Sequence, residues 1–207
     1  MGVDYVWSAE AWGQDAVTSL AYLAGQTSRI RLGTGIMQIS ARTPSMTAMT
    51  ALALHDLSNG RFVLGLGTSG PQVVEGLQGV AFRAPLTRLQ ETVEIVRMAF
   101  RGETLRYAGQ VHTLPRPGGE GKALRIEHPP AKIPIFLATL APKALESKPL
   151  IKGLIASTFR PDACIWRINA AVMNVLPTSV PVPVTKMVVT GNRRQVPLHR
   201  SEPERCR

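Results

Sequence analysis

The chain has 207 residues, of which 44% are hydrophobic and 18% charged, enough for one domain with a real core and unlike an acidic disordered chain. Its longest apolar stretch, residues 133–140, is far below the ~20 residues that a membrane-spanning helix needs. The net charge of +10 resembles a nucleic-acid footprint until it is mapped: residues 1–147 hold 14 Lys+Arg against 11 Asp+Glu, and residues 148–207 hold 10 against 3, so the excess belongs to the C-terminal part.

In chain order, strand and helix signals alternate. Asp4 and Glu10 break any leader-like apolar run near Met1, and the aromatic and β-branched run Tyr5–Ser8 predicts a short strand. Asp15 is placed as an N-cap for a helix carrying Val17, Leu20, Ala21 and Ala24, with Gly25 at its end. Ile30–Ile36 reads as a strand. Thr43-Pro44 is an N-cap followed by proline at the first helical position, and Met46, Met49, Ala53 and Leu57 form one helical stripe up to the stop at Ser58-Asn59-Gly60. Phe62–Leu66 is continuously apolar, as in a strand buried on both faces. Leu86, Leu89, Val93, Val96 and Phe100 mark another helix, stopped at Gly102. Arg116–Gly119 lies in an irregular insertion, and Ile133–Leu140 is the next buried strand. This alternation predicts a parallel sheet wrapped by helices, as a barrel or as an open sheet.

In such folds ligands sit at the carboxyl ends of the strands. Those ends read Ser8-Ala9-Glu10, Thr34-Gly35-Ile36-Met37, Gly67-Thr68-Ser69-Gly70 and Ala138-Thr139. Small residues and hydroxyls recur there, and four such ends together favour a ligand cleft over a set of tight turns. Gly65-x-Gly67-x-x-Gly70 matches a dinucleotide fingerprint, but Pro71 follows at once and Gly76 and Gly79 interrupt the helix that should follow. It is read as a phosphate-cradling turn and not as a nicotinamide site. His55, His112, His128 and His199 form no cluster, no spacing suits a metal ion, and no Ser/His/Asp arrangement is present. A bound redox cofactor is therefore expected to carry the chemistry.

The run Asp56–Gly67 (DLSNGRFVLGLG) resembles the luciferase-like monooxygenase family. Arg29–Ile36 is similar to the strand that precedes it there, and Val6–Glu10 to an earlier one. Ser69–Gly76 and Pro134–Ala138 are similar to the branch that uses the deazaflavin coenzyme (factor 420). The resemblance covers about residues 3–146. It implies a partial (β/α)₈ TIM barrel, with about half of the strands legible, holding its coenzyme at the C-terminal face. In that family a bulged strand, often with a non-prolyl cis peptide, backs the ring; Gly35-Ile36, following Thr34, matches it. Glu10 matches an acidic strand-end position near the ring. Thr68, Ser69 and Gly70 would hold the phosphate through N–H and hydroxyl groups, Gly67 before them belongs to the same coenzyme site, and Ala138 and Thr139 would line the ring or its side chain. The implied reaction is hydride transfer between the deazaflavin coenzyme and a small organic substrate, with an FMN-dependent monooxygenase or a catalytically inactive family fragment as the alternatives. Members that oxidise sugar phosphates carry an Asp-His pair where this chain has Glu10-Ala11, so their proton acceptor has no counterpart here.

The domain expectation is a barrel portion over 1–162 and a divergent, basic, proline-containing tail over 163–207. Cys164 and Cys206 both fall in this tail; two cysteines build no disulfide scaffold, and a reducing, cytoplasmic compartment is expected. Prolines at 177, 181 and 183 oppose a regular helix or central strand. The resemblance starts at the family's second strand and loses its last three, which reads as a truncated or frame-shifted coding region, with a genuine but divergent end as the alternative. Open sheet edges then predict low stability or self-association, with a homodimer as one form of the latter. The tail lacks aromatic interleaving and any nucleic-acid-binding motif, so specific nucleic-acid binding is the weakest reading.

Overall fold

A computed structural model describes residues 3–138 and 188–190. The described elements are β1 (Tyr5–Ser8), α1 (Ala16–Gln26), β2 (Arg31–Thr34), β3 (Met37–Gln38), α2 (Pro44–Leu57), β4 (Phe62–Gly67), α3 (Pro71–Val74), α4 (Pro85–Phe100), β5 (Tyr107–Ala108), β6 (Thr113–Leu114), β7 (Ile135–Leu137) and β8 (Val188–Thr190). β1, β2, β4 and β7 lie side by side in parallel, in chain order. β3 continues the line of β2 and pairs with the end of β4 through Met37↔Leu66 and Gln38↔Gly67. The sheet does not close on itself among the described residues, and β8 pairs antiparallel with the outer edge of β1.

Local chemistry explains these elements. The Asp15 carboxylate accepts from the Val17 and Thr18 N–H groups, which starts α1. The helix runs one residue past the expected stop at Gly25, which stays helical, and ends against Thr27. Thr43 caps α2 by accepting from the Met46 N–H, with Pro44 behind it. Gly60, at φ +79°, ends the turn that follows α2. β4 is buried along its whole length because it is the central parallel strand. Leu20, Leu32, Leu52, Phe62, Leu64 and Ile95 form the core between sheet and helices.

Three expectations change. The strand expected over Ile30–Ile36 breaks after Thr34, because Gly35 and Ile36 leave the ladder before β3 resumes it. The stripe Met46, Met49, Ala53 and Leu57 faces outward, with Met46 and Met49 each 49% and Leu57 57% exposed. Thr47, Ala48, Ala51, Leu52 and Leu54 make the inward face of α2 instead. The insertion after α4 contains an unexpected hairpin, β5–β6. The expected tail features lie outside the described residues, apart from β8.

The hairpin is held by a side chain far from it in sequence. The buried Glu91 carboxylate on α4 accepts from the Gln110, Val111 and His112 N–H groups, at 2.6 to 3.3 Å. Burial pushes this carboxyl up, but the three backbone donors outweigh burial and hold it below the ordinary value of 4.5. A lowered folded-state pKa gives stability that is present above the unfolded value and lost as pH falls through the folded one. Glu91→Gln is expected to cost about 2 kcal/mol at neutral pH, since one amide face then opposes backbone donors. In urea melts the gap between wild type and variant should shrink as pH drops below 4; a gap independent of pH would contradict this account.

Further along the insertion, His128 bridges back to α2. Its Nδ1 lies 2.6 Å from the Pro129 carbonyl and its Nε2 2.9 Å from the Asp56 carboxylate. Both neighbours only accept, so the imidazolium satisfies both contacts, and the Asp56 bond raises the His128 pKa.

Candidate functional site

The carboxyl ends of β1, β2–β3, β4 and β7 meet on one side of the sheet. Glycine at position 67 allows the closest approach there. A Cβ on Gly67 would stand 2.9 Å from Ile36 Cγ1 and 3.4 Å from Ala138 Cβ, so the ends of three strands converge on this point. The Gly35–Ile36 peptide is cis. Ala138 donates its N–H to the Leu66 carbonyl at 2.9 Å, which carries the β4–β7 pairing out to the rim. Ile36, Gly67 and Ala138 are thus brought together, with Gly35 next to Ile36 in the chain, as a cradle of small and apolar groups.

Thr68, Ser69 and Gly70 follow directly as the loop out of β4, with Ser69 at φ +57°. Neither the Ser69 nor the Gly70 N–H has a hydrogen-bond acceptor among the described residues. Free amides at a strand end suit an anion. The Thr68 hydroxyl has only a long contact, 3.3 Å, to the Ser69 carbonyl.

Two expected site residues spend their side chains inside the protein. The fully buried Thr34 hydroxyl donates to the Gly65 carbonyl and accepts from the Gly65 N–H, both at 2.8 Å. It replaces the ladder bonds that the bulge removes. Glu10 faces the Arg42 guanidinium, with contacts of 2.6 and 2.8 Å on its two carboxylate oxygens. The same carboxylate accepts from the Gln38 N–H at 3.0 Å and the Ala16 N–H at 3.3 Å. Thr139 lies outside the described residues.

Four residues at this rim were not singled out by sequence reasoning. Trp7 lies against Gly33 and Gly35, stacks on Tyr5 and meets Phe136 edge-on at 5.6 Å. These partly exposed rings share one face of the sheet. Gln38 and Arg42 hold Glu10. Arg42 carried one usable signal: between Leu32 and His55 it is the only Lys, Arg, Asp or Glu.

Among the described residues no group of His, Cys, Asp and Glu is placed to hold a metal ion. No described helix is long and apolar enough to cross a membrane. A side chain at position 67 would collide with Ile36, so glycine keeps the three strand ends close, and the Ser69 and Gly70 amides follow next along the chain.

Residues 1–149 match the family described as luciferase-like monooxygenase. The chain belongs to this family. It is 51% identical over 149 residues to a Mycobacterium tuberculosis protein provisionally named a coenzyme F420-dependent oxidoreductase, covering 69% of this chain and 43% of that one. It is 31% identical over 146 residues to a 5,10-methylenetetrahydromethanopterin reductase of Archaeoglobus fulgidus, covering 70% of this chain and 42% of that one. The chain thus spans less than half the length of these relatives. The fold matches the coenzyme F420-dependent tetrahydromethanopterin reductase of Methanopyrus kandleri, with a TM-score of 0.57 and 24% identity over 70% of this chain and 45% of that one. The luciferase-like family accounts for the parallel order of β1, β2, β4 and β7 as part of a (β/α)₈ barrel.

Proposed function

We propose that this protein is an oxidoreductase that binds the deazaflavin coenzyme at the carboxyl ends of β1–β7 and acts on a small organic substrate. The observation that carries the reading is the convergence of Ile36, Gly67 and Ala138 beside the unpaired amides of Ser69 and Gly70. The name of the Mycobacterium tuberculosis relative supports the same coenzyme, and the names of both relatives support the reaction class. When bound, the coenzyme supplies hydride transfer at its ring. The chain's own residues set the rest. Ile36 and Ala138 would wall one face of the ring, and the Thr68–Gly70 amides would hold the phosphate. Trp7 and Phe136 would keep water from their face of the sheet.

The experiment is a thermal melt of the purified chain, alone and with excess deazaflavin coenzyme or FMN. A ligand that binds only the folded state at ~100 times its dissociation constant adds about 2.7 kcal/mol. The deazaflavin coenzyme is expected to add stability of that order and so raise the midpoint, and FMN to raise it much less. A shift with FMN alone would transfer the proposal to a flavin-dependent monooxygenase. No shift with either would leave a family member without coenzyme function.

We include self-association in the proposal. The outward stripe of α2 supports it: Met46, Met49, Ala53 and Leu57 recur at the spacing of a packed helix. Its neighbour α4 instead presents Gln90, Glu94 and Arg97. Two identical apolar stripes can meet about a two-fold axis without a charge complement, so the occupant is a second copy. The same preparation should elute as a dimer in sizing chromatography, and a sharp monomer peak would remove this part.

A further inference from the structure

The bulge that would back the coenzyme ring is tied to β1 by the Gly35 N–H, which donates to the Ser8 carbonyl at 2.7 Å, and has no pairing with β4. Gly35 and Ile36 sit outside the ladder, and β3, which follows, has two residues. Glu10 grips this segment on both sides of Ile36. Its backbone N–H donates to the Ile36 carbonyl at 3.1 Å, and its carboxylate accepts from the Gln38 N–H at 3.0 Å. The Gln38 side-chain amide returns to the Glu10 carbonyl at 2.9 Å and to the Ala11 carbonyl at 3.3 Å. The oxygen of that amide accepts from Gln78, in the segment after α3. Arg42, just before α2, closes the arrangement by clamping both Glu10 oxygens.

We propose that Glu10 and Arg42 are a positioning pair that fixes Ile36 as the wall for the coenzyme ring. The inference rests on the coenzyme reading above. Glu10 is not a proton acceptor for substrate: its side chain is 8% exposed, and donors from Ala16, Gln38 and Arg42 fill both oxygens. Its carboxylate acts through the backbone of Ile36 and Gln38. Preorganised support of this kind decides whether a site holds its ligand tightly.

The test compares wild type, Glu10→Gln, Arg42→Lys and Glu91→Gln, each titrated with the deazaflavin coenzyme well below its own melting temperature. Affinity measured on fully folded protein is independent of stability, so Glu91→Gln, which weakens the hairpin, should bind like wild type. Glu10→Gln keeps one acceptor but loses the paired charge, and it should lose about tenfold in affinity, the factor for one charge-assisted hydrogen bond. Arg42→Lys keeps the charge without the fork, and it should fall between the two. The emission of the saturated coenzyme should differ from wild type in Glu10→Gln and not in Glu91→Gln. If Glu10→Gln fails to fold, Arg42→Lys reads the pair from its other side. Wild-type affinity and emission in Glu10→Gln, or in Arg42→Lys where Glu10→Gln does not fold, would overturn the proposal while leaving the coenzyme reading intact. A wild type that binds no deazaflavin overturns the coenzyme reading, and this inference with it.

Discussion

Replacing Gly65 by alanine is expected to cost more than about 4 kcal/mol, a loss reserved for a short list of severe defects. An added Cβ would stand 1.9 Å from the Thr34 carbonyl oxygen. That oxygen is backbone, so no rotamer change relieves the clash. β2 and β4 are paired next to it through Leu32↔Phe62 and Gly33↔Val63, and the Thr34 hydroxyl bonds both polar groups of Gly65. Relief means prying two central strands apart and leaving buried polar groups unpaired. A urea melt with far-ultraviolet circular dichroism should show the variant largely unfolded without denaturant; a midpoint near wild type would refute the account. Gly67→Ala is the informative contrast. There the nearest atoms are Ile36 Cγ1 at 2.9 Å and Cδ1 at 3.0 Å, part of a side chain that can turn away. The penalty falls on the cradle and little on the fold. The first and second glycines of the G-x-G-x-x-G run thus serve close packing, which is why the match to a nucleotide fingerprint misleads.

What the sequence disclosed follows from how local each cause is. β4 was legible because a strand covered on both faces must be apolar throughout, and α1 and α2 because Asp15 and Thr43 announce their starts. The family resemblance points to Gly35-Ile36, Gly67 and Ala138 as a coenzyme site, and the fold brings Ile36, Gly67 and Ala138 within contact of one another. The losses all have distant causes. Ile30–Ile36 looks like one strand because apolar character continues across Gly35, while the backbone leaves the ladder there. The β5–β6 hairpin has two residues per strand, and its turn is closed by Glu91, from 19 to 21 residues away in sequence. The resemblance places Glu10 near the ring, while its partner Arg42, 32 positions on, is not visible from the strand end alone. The stripe on α2 was correctly periodic, but that helix is apolar on two sides, and periodicity alone does not say which side meets the sheet.

The second large effect is expected at the other end of the sheet, at Arg61. This residue precedes β4, opposite the cradle, and its guanidinium gathers ends that would otherwise be loose. Nε donates to the Ser58 carbonyl at 2.7 Å, just beyond α2. Nη1 donates to the Ile30 carbonyl at 2.6 Å and the Thr27 hydroxyl at 3.1 Å. Nη2 donates to the Thr27 carbonyl at 2.6 Å and the Ala24 carbonyl at 3.1 Å, at the end of α1. The last carbonyls of a helix have no partner within it, and a cation there also meets the negative end of the helix dipole. Arg61→Met keeps much of the apolar stem and removes all five bonds, so it isolates the head group. It should lower stability by about 3 kcal/mol, the cost of stripping charge-assisted bonds from partly buried carbonyls. Arg61→Lys should recover less than half of this, because an ammonium cannot span four segments as a planar fork does. Urea midpoints read both variants. Coenzyme affinity on the folded protein should stay at the wild-type value, because the wall at Ile36 and the amides at Ser69 and Gly70 stand at the opposite strand ends. A variant that keeps its midpoint would mean that solvent satisfies these carbonyls as well as Arg61 does. One that lost coenzyme affinity as well would mean that the two ends of the sheet are coupled.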